Sequence, residues 1–111
     1  MAIPSGSGTE VLKRIVYNAN NNATRTYAVG TNKIWTILTI FIHNATGTAT
    51  GANFHNHDGT NDIKIWTGTI ANDSTFVWND RYILSSGDSF RFWNTATDMD
   101  WVISYIDQDW S

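Results

Sequence analysis

The sequence predicts an all-β fold, an antiparallel β-sandwich of jelly-roll type with eight or nine short strands, and three observations carry that expectation. Runs rich in Val, Ile, Thr, Phe and Trp alternate with clusters of Gly, Asn, Asp and Ser, at the spacing of roughly 8–12 residues typical of sandwiches and barrels. No stretch shows the period of about 3.6 residues that marks an amphipathic helix. Aromatic residues make up 14% of the 111 residues and include six Trp, whereas charged residues reach only 15%, well under the roughly 25% of an average domain. Solvent-facing positions are filled instead by Thr, which suits a pleated surface, and by Asn and Gly, which suit turns.

Residues 1–9 read as a flexible arm, in which Ile3 and Pro4 stand ahead of a Ser-Gly-Ser-Gly spacer that has little reason to fold alone. Residues 10–111 then form a single domain around one hydrophobic core. The first strand spans 11–17 and closes in the polar cluster Asn18, Ala19, Asn20, Asn21 and Asn22. A short run at 25–29 ends in Gly30-Thr31-Asn32, a turn suited to a hairpin. The longest strand, 33–43, sets Ile34, Leu38, Ile40 and Ile42 on one side and Trp35, Ile37 and Phe41 on the other. Two apolar faces predict a central strand, covered by the second sheet on one side and by a loop or another subunit on the other.

Residues 48–56 carry Ala49, Gly51 and Ala52, small enough to admit a close neighbour. Asp58-Gly59 supplies the positive-φ geometry of a turn into strand 63–70. Ala71-Asn72-Asp73 leads into 74–78, Asn79-Asp80 turns the chain into 81–84, and Ser85-Ser86-Gly87-Asp88 leads into 89–93. In the last strand, 100–107, Trp101, Ile103 and Tyr105 share one face opposite Val102, Ser104 and Ile106. The chain has no internal repeat, which argues against a solenoid or propeller.

The composition excludes several classes of function. A net charge of −3 with no Lys/Arg run lacks the electrostatic footprint of a nucleic-acid binder. The absence of cysteine removes disulfide frameworks and thiolate metal sites. The N-terminus has neither the basic start nor the apolar stretch of a secretory signal, and no window approaches the ~18 apolar residues of a membrane span. The expectation is a complete, soluble, cytoplasmically made product with no membrane partner. Sequons at Asn22, Asn44 and Asn72 then read as coincidence.

Candidate sites are few. His55 and His57 alternate along one strand and so share a face, and with His43 they are the metal candidates, provided that the strand of His43 lies next to theirs. Structural or surface histidines are the favoured reading, and no cofactor is expected. Asp98, Asp100, Asp107 and Asp109 gather near the C-terminus without the spacing of a calcium loop and read as a solvated acidic rim. No Ser, His or Asp stands in a nucleophile-elbow context and no phosphate-binding loop is present, so no enzyme is expected. Trp35, Trp78, Trp93 and Trp101 read as core or subunit interface, since each Trp buries ~150–250 Å². Trp66, paired with Lys64 on a half-polar face, is the best candidate for an exposed ring that stacks on a sugar. Trp110, one residue from the chain end, implies a docked tail, and with Ile3 and Pro4 it makes up the candidate partner-binding set.

The order of segments resembles that of small β-sandwich virion proteins of tailed bacteriophages, particularly marine and cyanobacterial phages. The likeness rests on Val16-Tyr17-Asn18 at a strand end, on IWTILTIFIHN (34–44), on STFVWNDRYILSSGDSFRFW (74–93), on the closing WVISYIDQDWS and on the opening SGSGTEVLKR (5–14). It implies a structural protein without catalytic residues, attached to the outside of the head as a decoration, cement or knob protein and located in the virion. Its partners would be the major capsid or other virion proteins, and it would form a homo-oligomer, preferably a trimer. The alternative is a carbohydrate-binding module of a fibre that recognises host glycans.

Overall fold

In a computed structural model, which describes residues 9–19, 24–95 and 98–109, the chain forms nine strands and, among those residues, no helix. They are β1 (Thr9–Ala19), β2 (Arg25–Ala28), β3 (Lys33–Asn44), β4 (Thr50–His57), β5 (Asp62–Ile70), β6 (Thr75–Trp78), β7 (Tyr82–Leu84), β8 (Ser89–Asn94) and β9 (Met99–Asp109). Sheet I has the order β1-β9-β3, with β6 and β7 both on the far side of β3, and sheet II has the order β2-β8-β4-β5. Every pairing is antiparallel. Most connections cross from one sheet to the other, which gives the jelly-roll winding, and the predicted β-sandwich is the fold observed.

Alternation, interrupted only by bulges in β3 and β5 among the described strands, places one side of each strand in the core. On β9, Trp101, Ile103 and Tyr105 are buried as the sequence predicts, and on β8, Phe90 and Phe92 are fully buried. The aromatic rings lock the sheets together: Trp101 lies 4.4 Å from Phe92 and edge-on to Phe54 at 6.5 Å, and its indole N–H donates to Asn94 Oδ1 at 3.2 Å. A buried indole needs such an acceptor, and Asn94, itself buried, supplies it.

Three features depart from the expectations, and each has a local cause. The turn Gly30-Thr31-Asn32 makes no hairpin, because β2 pairs with β8 in sheet II and β3 lies in sheet I; the turn is a crossover, with Asn32 at φ 59°. The register of β3 against β9 shifts between Ile37 and Thr39. This bulge at Leu38 inserts one residue and reverses the parity of the strand, so Trp35, Ile37, Ile40 and Ile42 all face the core. The segment 79–81 does not reverse the chain. β6 pairs with 40–43 of β3 and β7 with 35–37, so the two short strands run end to end along β3, with their break opposite its bulge.

Asn44 closes the sandwich at one end. It is fully buried, its Nδ2 donates to the carbonyls of Thr48 and Ile70 at 2.8 Å each, and its Oδ1 accepts from the backbone and hydroxyl of Thr46. An amide side chain has four such bonds to make, and Asn44 makes all of them.

Candidate functional site

The side chains that face away from the core differ sharply between the sheets. On sheet I the registers line up Val16, Val102, Phe41 and Val77 in one row across β1, β9, β3 and β6. A second row sets Leu12, Ile106, Thr36 and Ile83 across β1, β9, β3 and β7. Among the described residues, seven large hydrophobics are exposed, and Leu12 at 71%, Val16 at 63%, Ile83 at 61%, Val77 at 49% and Phe41 at 40% all belong to these rows. Between the rows lies a shallow depression of about 440 Å³ at the β3 bulge, where Leu38 and Thr39 meet Arg14 and Ser104. Scattered exposed apolar residues need no explanation, but a contiguous patch marks an interaction site.

The same sheet ends in an open edge. β1 is eleven residues long and pairs only with β9, so one row of its backbone donors and acceptors is unmatched by any described strand. Lys13 does not guard this edge, because its Nζ is drawn to the buried Asp107 at 2.8 Å. That hydrogen bond and the charge of Asp107 raise the pKa of Lys13 above its ordinary value.

The outer face of sheet II is polar. Thr26, Arg91, His55 and Lys64 form one row and Ala28, Ser89, His57 and Asp62 the next. Arg91 Nη1 lies 3.1 Å from Asp62 Oδ1, and His57 Nδ1 lies 2.9 Å from the same oxygen. Burial works against the charge on Asp62, yet the His57 hydrogen bond and the Arg91 charge prevail and hold its carboxyl below the usual carboxylate range. His55 sits 4.0 Å from Asp62. Burial lowers its pKa from the ordinary 6.5, and Asp62 opposes the shift without cancelling it.

The structure separates the metal candidates. His43 is on β3 of sheet I, bonded to Thr75 and 3.5 Å from Asp73, whereas His55 and His57 are on β4 of sheet II. The condition that would make a three-histidine site therefore fails, and among the described residues no group of three or more His, Cys, Asp or Glu is placed to hold a metal ion. The acidic rim divides too: Asp107 is buried between Lys13 and Lys33, while Asp98 and Asp100 lie at the opposite end of β9.

Trp66 is not an exposed platform. A bulge in β5 leaves Ile65 without an opposite residue, which puts Lys64 and Trp66 on opposite faces. The Trp66 ring stacks on Phe76 at 4.2 Å and on Phe54 at 5.8 Å. Gly68 makes room for it, since a Cβ there would fall 2.7 Å from the ring. Trp93 is half-buried on the outer side of β8, opposite Asn53. Ile3, Pro4 and Trp110 lie outside the described residues, as does the sequon at Asn22. The apolar rows on sheet I are the site that sequence reasoning missed; its one signal was the apolar character of both faces of β3.

No family model matches the chain, and no curated protein matches it. A solved structure of the Bacillus endospore appendages, described as a novel family of disulfide-linked pili, is similar over 98% of this chain and 95% of its own, with a TM-score of 0.53 and 15% identity. At that identity the likeness concerns the fold. It nevertheless corrects the expectation of a phage capsid decoration protein or a glycan-binding fibre module, because this near full-length match is to a pilus protein, a different structural context.

Proposed function

We propose that the chain is a structural subunit that associates with copies of itself into a larger assembly, with the outer face of sheet I as the contact surface. The observation that carries this reading is the pair of apolar rows, Val16–Val102–Phe41–Val77 and Leu12–Ile106–Thr36–Ile83, left open to solvent while the opposite face of the sandwich is polar. Low charge density fits the same role, since few ions would lose water when such faces meet. The role is cohesive and not catalytic.

The likeness to a pilus protein supports assembly as the purpose of the fold. The covalent linkage for which those pili are described has no means of forming here, because this chain carries no cysteine. Cohesion between copies rests on apolar packing and edge hydrogen bonds instead.

Sedimentation velocity of the purified chain over a range of concentrations tests the reading. Assembly is expected to grow with concentration, and Val77→Lys together with Ile83→Lys is expected to weaken it by about tenfold or more, because two charges would have to be buried in the contact. A wild-type chain that stays monomeric at every concentration, or assembly indifferent to the paired lysines, would overturn the proposal.

A further inference from the structure

β1 carries on its outer side the sequence Glu10, Leu12, Arg14, Val16, and this spacing bears on what its open edge pairs with. An antiparallel partner that keeps both apolar faces on the same side must set residues of matching parity opposite each other. For two copies of β1 this leaves a short series of registers, each centred on one residue. Centring on Arg14 sets Arg14 against itself, and like charges directly opposite are destabilising; centring on Lys13 sets Glu10 against Val16 and Leu12 against Arg14, with no opposite-charge pair. Centring on Ile15 or Val16 carries Glu10 beyond the end of the partner's strand. Centring on Leu12 sets Glu10 opposite Arg14 of the partner subunit, twice by symmetry, and covers the most exposed large hydrophobic residue of sheet I, Leu12 at 71%.

We infer that two copies of the chain pair antiparallel along β1 about a two-fold axis at Leu12, with Glu10 facing Arg14 of the partner subunit on either side. This rests on the self-association proposed above and names its geometry. Between Thr9 and Ile15 the pairing satisfies the unmatched backbone groups of the edge, and it joins two five-stranded sheets into one. The row Ile83–Thr36–Ile106–Leu12 then continues through Leu12 of the partner subunit into its own copy. The contact is isologous, as a two-fold requires, and it replaces the trimer that the phage resemblance implies.

A charge-exchange experiment tests the register. Glu10→Arg alone faces Arg with Arg, and Arg14→Glu alone faces Glu with Glu; each variant is expected to dimerise about tenfold more weakly than the wild type. Mixing the two single variants restores both opposite-charge contacts in a heterodimer, and the affinity of the mixture is expected to return to within about threefold of the wild type. In a chain without cysteine, Leu12→Cys is further expected to oxidise to a linked dimer at concentrations where Val16→Cys stays single. Single variants that associate like the wild type, or a mixture that recovers nothing, would overturn the register. If that failure came with wild-type assembly still abolished by the Val77→Lys and Ile83→Lys pair, only the edge pairing would fall; a wild type monomeric throughout would remove both proposals.

Discussion

The outer faces of the two sheets rest on one core and are built by the same alternation, yet they carry opposite chemistry. On sheet I the outward positions of four adjacent strands are occupied by Val16, Val102, Phe41 and Val77. On sheet II the corresponding cross-strand row reads Thr26, Arg91, His55 and Lys64. A sandwich needs only its inner faces to be apolar, so folding does not call for the first row. The difference is what the proposed association rests on: the inward half of each strand serves the fold, while the outward half is free to serve another purpose.

The strongest way to break the comparison is to remove what the two faces share. Trp101→Ala empties the position at which sheet I meets Phe92 and Asn94 of sheet II, and it is expected to cost about 3–5 kcal/mol in urea denaturation. A loss below about 1 kcal/mol would mean that the faces do not rest on a common core. A more discriminating comparison pairs Val77→Lys on sheet I with Thr67→Lys on the outer side of β5. Both are surface changes expected to alter unfolding free energy by no more than about 0.5 kcal/mol, but only Val77→Lys should reduce assembly in sedimentation. Equal effects on assembly would erase the distinction between the faces.

The smallest effect concerns acid. His55 has its pKa lowered by burial, so below the ordinary value of 6.5 the unfolded chain takes up a proton more readily than the folded one. Stability is therefore expected to fall as pH drops through about 6.5 toward the lower folded value, and to level off beneath it. Melting temperatures of the wild type and His55→Gln across this window check the sign: the variant should be less sensitive to pH, and a wild type that gains stability on acidification would contradict it. Sheet I carries His43 on its outer face, half-exposed beside Asp73 and Thr75.

Much of the fold was legible in the sequence because alternation and turn chemistry are local. The faces of β9 follow from Trp101, Ile103 and Tyr105, and the Asp58-Gly59 turn forms with Gly59 at φ 97°, while Asp58 Oδ1 accepts from the backbone of Thr60 and Asn61. The misread strand faces share one origin. The bulges at Leu38 and Ile65 each add a residue and so reverse the face of everything beyond them, and neither is marked by a Gly or Pro that sequence reading uses to find such sites. That is why Phe41 and Ile40 exchange sides, and why Trp66 leaves the face of Lys64. The docking surface was hidden for another reason: Val16, Phe41, Val77 and Val102 become neighbours only when four distant strands take up their registers.

The break between β6 and β7 limits how far this sheet can grow. Opposite the β3 bulge the far margin of sheet I is two short pieces, four and three residues long, with Asn79, Asp80 and Arg81 between them, and such an interrupted margin offers no continuous template for another strand. Sheet I therefore has one edge that can accept a strand and one that cannot. Within sheet I, addition along the hydrogen-bonding direction is then self-limiting at a pair, so this sheet cannot by itself support the runaway strand addition of an amyloid.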